Sequence, residues 1–204
     1  MDFAEPMRPW RAGLVSGRGH YDRVMGAVLS AERSVWIATA NLKELMVEDP
    51  RVVPGRRRGR RSGYRSVLEG LEELAARGVE LRLLHAAVPS RAFRDRFDRL
   101  DGLVRGGLEM RTCPRVHLKV VLVDASLMYL GSANWTGAGL GAKGAGRRNF
   151  ELGVVTDDEE SIDVVQELYE RIWRGHECEG CRLRDACEMP LDELEASVGE
   201  RAAG

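Results

Sequence analysis

Residues 34–40 (Ser-Val-Trp-Ile-Ala-Thr-Ala) form a short apolar run rich in strand formers, and residues 79–85 form a second. Between them Val67, Leu68, Leu71, Leu74 and Ala75 recur at helical spacing until Gly78 stops the pattern. A strand, a helix and a strand in that order suit a parallel crossover, so the chain is constrained to a sheet with a helix packed on its face. Tyr21, Val24, Met25, Val28 and Leu29 predict an earlier helix, and Phe93, Phe97 and Leu100 a further one starting near Ser90. Strands are expected at 108–112, 118–123, 127–131 and 150–156, followed by a long helix carrying Val164, Val165, Leu168, Tyr169, Ile172 and Trp173. The expected fold is α/β: a mixed β-sheet flanked by helices on both faces.

The punctuation is equally readable. Residues 43–63 hold Pro50, Pro54 and the tract Arg56-Arg57-Arg58-Gly59-Arg60-Arg61, which predicts a long irregular loop. Five glycines within 137–146 predict a flexible surface loop. The organisation expected is an N-terminal extension over 1–19, a main domain over 20–175 and a short cysteine-rich tail over 176–204. With 204 residues, 44% of them hydrophobic, the chain can bury one sizeable core. No apolar stretch approaches the roughly 18 residues needed to cross a bilayer. Pro6, Pro9, Gly13 and Gly17 interrupt the N-terminus, so no signal peptide is expected and the cytoplasm is the expected location.

Chemistry concentrates in His117-Leu118-Lys119-Val120-Val121-Leu122-Val123-Asp124 and in Gly131-Ser132-Ala133-Asn134. On a strand, residues two apart face the same side, so His117 and Lys119 project together. Ser132 and Asn134, at the end of the next strand, can approach the same point. An imidazole can attack phosphorus and split hydrolysis of a phosphodiester into two displacements. A lysine and an amide beside it would hold the non-bridging oxygens, where negative charge develops. An acid is also needed for the leaving oxygen, and one histidine does not readily serve as nucleophile and acid in the same step.

This pattern, H-x-K-x4-D-x6-G-S-x-N, resembles the signature of the phospholipase D superfamily, and the likeness extends more loosely over residues 20–175. The resemblance implies a phospholipase D-like α-β-α domain and a phosphodiesterase that works through a covalent phosphohistidine. It implies that His117 is the nucleophile, that Lys119 and Asn134 bind phosphate, and that Asp124 is orienting or structural. Glu151 is the candidate for the acidic residue that orients the histidine, and Ser132 matches the small hydroxyl beside the phosphate. Only one copy of the motif is present, since His20, His85 and His176 lack a lysine two residues on. The chain therefore resembles the small bacterial nucleases of the family, in which a homodimer completes the site with a second histidine.

Nucleic acid, DNA or RNA, is the expected partner, with Arg56, Arg57, Arg58, Arg60 and Arg61 as a sequence-blind clamp on its backbone. The same tract also reads as a solvated loop or a contact to anionic lipid. Hydrolysis or transfer at a phospholipid headgroup is the alternative reaction, and a catalytically weak nucleic-acid-binding subunit of a larger complex is the alternative outside enzymes. Asn41 and His85 end strands and could line the pocket, though satisfied polar groups are the commoner outcome. Trp135 could stack on a base, with packing in the core the stronger expectation. In the tail, Cys178, Cys181 and Cys187 give C-x2-C-x5-C, and Cys113 or His176 could complete a fourth ligand. The spacing resembles the cluster loop of iron-sulfur DNA-repair glycosylases. It predicts a structural [4Fe-4S] cluster or zinc ion, with plain reduced thiols as the remaining alternative and no metal required for catalysis.

Overall fold

The computed structural model describes residues 2–49 and 63–195. Its centre is a seven-stranded mixed sheet in the order β1-β9-β8-β7-β2-β5-β6. The strands are β1 (Ala12–Ser16), β2 (Ser34–Thr39), β5 (Glu80–His85), β6 (Glu109–Thr112), β7 (Val120–Val123), β8 (Leu127–Gly131) and β9 (Leu152–Thr156). β2, β5 and β6 run parallel, and every other pairing is antiparallel. The strand–helix–strand unit is where the sequence places it: α2 (Val67–Ala76) connects toward β5, with the Ser66 hydroxyl accepting from the Leu68 N–H at its start. The helix near Ser90 is α3 (Arg91–Phe97), again capped by the serine side chain, which accepts from the Phe93 N–H.

Alternation along the strands divides the core into two layers. On one face Val35, Ile37, Leu83, Val121, Tyr129 and Val155 pack against α1, which runs from Arg18–His20 through Tyr21–Met25 into Gly26–Leu29, and against α2. On the other face Trp36, Ala38, Leu84, Val120, Leu122 and Met128 pack against α4 (Glu159–Trp173). That second layer is bound by aromatic stacking: Trp36 lies 5.4 Å from Tyr169, and Tyr169 5.8 Å from Trp173. The Arg82 guanidinium sits 4.6 Å over Trp36, which lets a half-buried cation rest on an apolar wall.

Three segments differ from expectation. Within the first nineteen residues, β1 adds an edge strand to the sheet by pairing antiparallel with β9. The segment expected as an irregular loop begins and ends in structure: β3 (Met46–Glu48) pairs with β4 (Tyr64–Ser66). The arginine tract at 56–61 lies outside the described residues. The glycine-rich stretch after Asn134 is partly internal, with Leu140 only 1% exposed, so its glycines serve close turns on the core as well as surface.

The expected metal centre is corrected by the structure. Among the described residues no group of three or more His, Cys, Asp or Glu side chains is placed to hold a metal ion. Cys113, Cys178, Cys181 and Cys187 are all free and only partly buried. They are distributed round the wall of a cavity of about 430 Å³, which they share with Val116, Leu118, Leu168, Ile172, Leu183 and Leu191. Neither the [4Fe-4S] cluster nor the zinc site on Cys113, Cys178, Cys181 and Cys187 is therefore retained, and among the described residues the tail forms no metal-binding module.

Other forces seat the tail. Gly175, at φ +75°, closes α4: its N–H donates to Ile172 and that of His176 to Arg171. A Cβ at Gly175 would collide with the backbone of Leu191 and Asp192, so glycine is also what lets the tail fold back. Leu191 is then 2% exposed within the α4 layer, and Arg184 pairs with Asp192 at 2.7 Å.

Candidate active site

His117, Lys119, Ser132 and Asn134 flank the open end of the β7–β8 hairpin. Lys119 is only 9% exposed, and its ammonium lies 3.0 and 3.1 Å from the two ring nitrogens of His117 and 2.7 Å from the His117 carbonyl oxygen. An ammonium facing both nitrogens lies against the ring rather than in its plane, a position that an incoming phosphate oxygen would compete for. Burial pulls the lysine pKa down, while the Glu151 charge pulls it up, with a net lowering. His117 itself is exposed.

The end of β2 holds Asn134. Its Oδ1 accepts from the Asn41 N–H at 3.1 Å and from the Thr39 hydroxyl at 3.4 Å. With the carbonyl oxygen engaged, the amide hydrogens are the free end of the side chain. Thr39 also accepts from the Trp135 N–H at 3.0 Å, and the Lys43 N–H donates to the Trp135 carbonyl at 3.0 Å, so three backbone groups brace the asparagine. Asn41 thus contributes through its backbone N–H.

Glu151 is engaged differently from the expectation that it orients His117. Its carboxylate accepts from the Ser132 hydroxyl and, at 3.0 Å, from the Asn149 amide. Ser132 is locked in turn, because its Oγ accepts from the Leu152 N–H at 3.1 Å and its own N–H donates to the Leu152 carbonyl at 3.0 Å. Gly131 and Gly153 bring these strands together: a Cβ at either would run into Tyr129, whose hydroxyl accepts from the Ala133 N–H at 3.2 Å. The glycine of the G-S-x-N motif is thereby a packing requirement.

Asp124 stands apart. It opens the turn at the far end of the hairpin with φ +54°, followed by Ala125 at +52°. Its carboxylate accepts from the backbone N–H groups of Glu32, Arg33 and Ser34, at 2.7 Å for Arg33 and 2.9 Å for Ser34. Desolvation pushes its pKa up, but those three hydrogen bonds outweigh it and the net shift is downward.

Two of the other histidines are buried in the fold. His85 is 4% exposed, with Nδ1 3.0 Å from the Ala87 carbonyl and Nε2 3.3 Å from the Thr112 hydroxyl. His20 is wholly buried, edge-on to Tyr129 with ring centroids 5.5 Å apart. Trp135 is 1% exposed and belongs to the core. Two features escaped the sequence reading. One is the cavity of about 430 Å³ that His117 shares with the four cysteines. The other is Phe150, which stands fully in solvent next to Glu151. The run Arg147-Arg148-Asn149-Phe150-Glu151 was the available signal, an aromatic bracketed by charge inside what reads as a strand.

Comparison with known proteins places this arrangement. Residues 26–173 match the family described as "Cardiolipin synthase, PLD-like domain". NucT from Helicobacter pylori aligns at a TM-score of 0.55 with 16% identity, covering 80% of this chain and 95% of that one. The phospholipase D family member Nuc from Salmonella typhimurium aligns at 0.55 with 18% identity and the same coverage. Phosphatidylserine synthase from Haemophilus influenzae Rd KW20 aligns at 0.50 with 14% identity, over 94% of this chain and 46% of that one. At these identities the structures share the fold. No curated protein sequence matches the chain. None of these findings supports the expected homodimer.

Proposed function

The chain belongs to the phospholipase D-like domain family, and from that premise we propose that it is a phosphodiesterase acting on nucleic acid through a covalent phosphohistidine. The observation that carries the reading is the Lys119 ammonium held within 3.1 Å of both His117 ring nitrogens. In the first step a His117 nitrogen attacks phosphorus, a P–N bond forms, and the P–O bond to the leaving alcohol breaks. Lys119 and the Asn134 amide hold the non-bridging oxygens as charge accumulates there. In the second step water attacks phosphorus, the P–N bond breaks and His117 is released. The leaving alkoxide takes up a proton from solvent, and the water that attacks in the second step gives one back, so the cycle closes with one water consumed. Glu151, through Ser132, keeps the strand ends at fixed separation and adds a charge that favours the lysine ammonium.

Nucleic acid is favoured as substrate by the basic residues Lys143, Arg147 and Arg148 beside the site and by the 56–61 arginines in the sequence. Transfer or hydrolysis at a phospholipid headgroup is the second reading, and the apolar cavity that reaches His117 favours it. The test is cleavage of labelled single- and double-stranded DNA and RNA, and of phospholipid in mixed micelles, in EDTA at low salt, with His117→Ala as control. Cleavage of a polynucleotide that is lost in the variant, with an acid-labile phosphoprotein trapped on quenching, is the expected result. Hydrolysis of the lipid alone would overturn the substrate, and equal rates in the variant would overturn the histidine mechanism. Oligonucleotide binding without turnover would favour a binding subunit.

A further inference from the structure

We infer that Phe150 is a stacking platform for an unpaired base beside the scissile phosphate, flanked by Lys143, Arg147 and Arg148 as contacts to the adjoining backbone. The inference rests on the reading of the site as a nucleic-acid phosphodiesterase and narrows it to single-stranded substrate.

Phe150 has 107% relative exposure, as fully solvated as a side chain can be. A phenyl ring left in water forgoes the stabilisation that burial would bring, and it keeps an open face for a planar ligand. The backbone that carries it is firmly held. One residue on, Glu151 accepts from Ser132 and Asn149, and two residues on, Leu152 exchanges hydrogen bonds with Ser132. One residue back, the Asn149 N–H donates to the Ala138 carbonyl at 3.1 Å. The ring is therefore presented from fixed backbone immediately next to the phosphate-handling residues.

Its neighbours in the chain define what the partner carries. Lys143 and Arg147 are exposed and pair with no carboxylate among the described residues. Arg8, Arg11, Arg18, Arg82 and Arg184 are all neutralised by acidic partners. Arg148 is oriented by its Nε, which donates to the Lys143 carbonyl at 2.6 Å. A planar apolar group with phosphates on either side meets both requirements: an aromatic face for the base and unpaired cations for the backbone. In a duplex the base faces are already stacked, so only unpaired nucleotides can use the ring.

The experiment measures binding in the His117→Ala background, where substrate persists, by fluorescence anisotropy with labelled 12-nucleotide single strands and the matching blunt duplex. Adding Phe150→Ala should weaken single-strand binding about 5- to 100-fold. Duplex binding should stay within about twofold, and Phe150→Trp should restore the single-strand affinity. An equal loss on both substrates, or no loss, overturns the inference. So does a Phe150→Ala defect confined to anionic phosphatidylglycerol vesicles, or one confined to self-association. Cleavage assays on otherwise wild-type protein separate the two levels of the argument. Polynucleotide cleavage unaffected by Phe150→Ala sinks the platform alone, whereas lipid hydrolysis without polynucleotide cleavage sinks the underlying reading.

Discussion

The β7–β8 hairpin carries the family motif at both of its ends, and the two ends have different duties. At the open end lie exposed His117 and Ser132, buried Lys119 and half-buried Asn134, with the Lys119 ammonium against the His117 ring nitrogens and the Asn134 carbonyl oxygen held by Asn41 and Thr39. At the turn end, Asp124 accepts from three successive backbone N–H groups at the start of β2. Seven residues of nearly extended chain separate His117 from Asp124, on the order of 20 Å. The aspartate therefore cannot touch the reacting atoms. It ties the hairpin to β2, and β2 in turn positions Asn134 through Thr39 and Asn41. Neighbourhood within a motif and neighbourhood within a site are different things: one end supplies reactivity, and the other sets the register that aims it.

The sharpest way to break this comparison is to remove the proposed nucleophile. His117→Ala should lower turnover by about 10³-fold or more, while the thermal midpoint stays close to wild type because the side chain is exposed. Lys119→Met keeps most of the buried stem and removes the charge, so a loss of about 10²- to 10³-fold is expected. Steady-state kinetics beside circular dichroism melts decide both. A large drop in melting temperature with His117→Ala would mean that the open end is architectural as well.

Asp124→Asn should do the reverse. Losing charge-assisted acceptance from backbone N–H groups costs about 1.5–3 kcal/mol of stability, with turnover per folded molecule nearly unchanged. Because the Asp124 carboxyl is held below its ordinary value in the fold, its contribution is present above about pH 4 and is lost as pH falls further. Urea melts from pH 7 to 3 should show that acid limb in the wild type and a shallower one in Asp124→Asn. Abolished turnover with an unchanged melt would reverse the division of labour.

Much of this division was legible in the sequence, since the period-two pattern placed His117 and Lys119 on one face and the helical periods placed both helix layers. Failures came where a one-dimensional cue stood in for three-dimensional placement. Dense cysteine spacing suggested a metal, whereas apolar packing of Leu191, the reversal at Gly175 and the Arg184 ion pair seat the tail. β1 was hidden because Gly13 interrupts a run too short to show alternation. The β3–β4 pair was obscured by the prolines and arginines between its strands. Glu151 was expected to orient His117, whereas its carboxylate accepts from Ser132 and Asn149. Phe150 was absorbed into a strand pattern, for nothing in hydrophobicity alone tells an outward ring from an inward one.

The smallest expected effect lies just beneath the open end. His20 is fully buried against Tyr129, and burial lowers its pKa by more than the Gly17 backbone and the Glu151 charge raise it. Burial lowers that of His85 as well. An unfolded histidine takes up a proton near pH 6.5, while these folded ones resist it. Stability is therefore intact above that pH and declines as pH falls below it, by at most about 1.4 kcal/mol per pH unit for each group. His20→Phe should remove one of the two contributions, and His20→Leu serves if the larger ring crowds Tyr129. Urea melts at pH 7.5, 6.0 and 5.0 should then show a shallower decline than in wild type, while the Asp124 limb, below pH 4, stays where it was. The two ends of the hairpin would thus titrate in separate windows. An unchanged slope between pH 6.5 and 5 would mean that the folded protein accepts a proton at His20 without cost, and that the open end is better solvated beneath its surface than its packing implies.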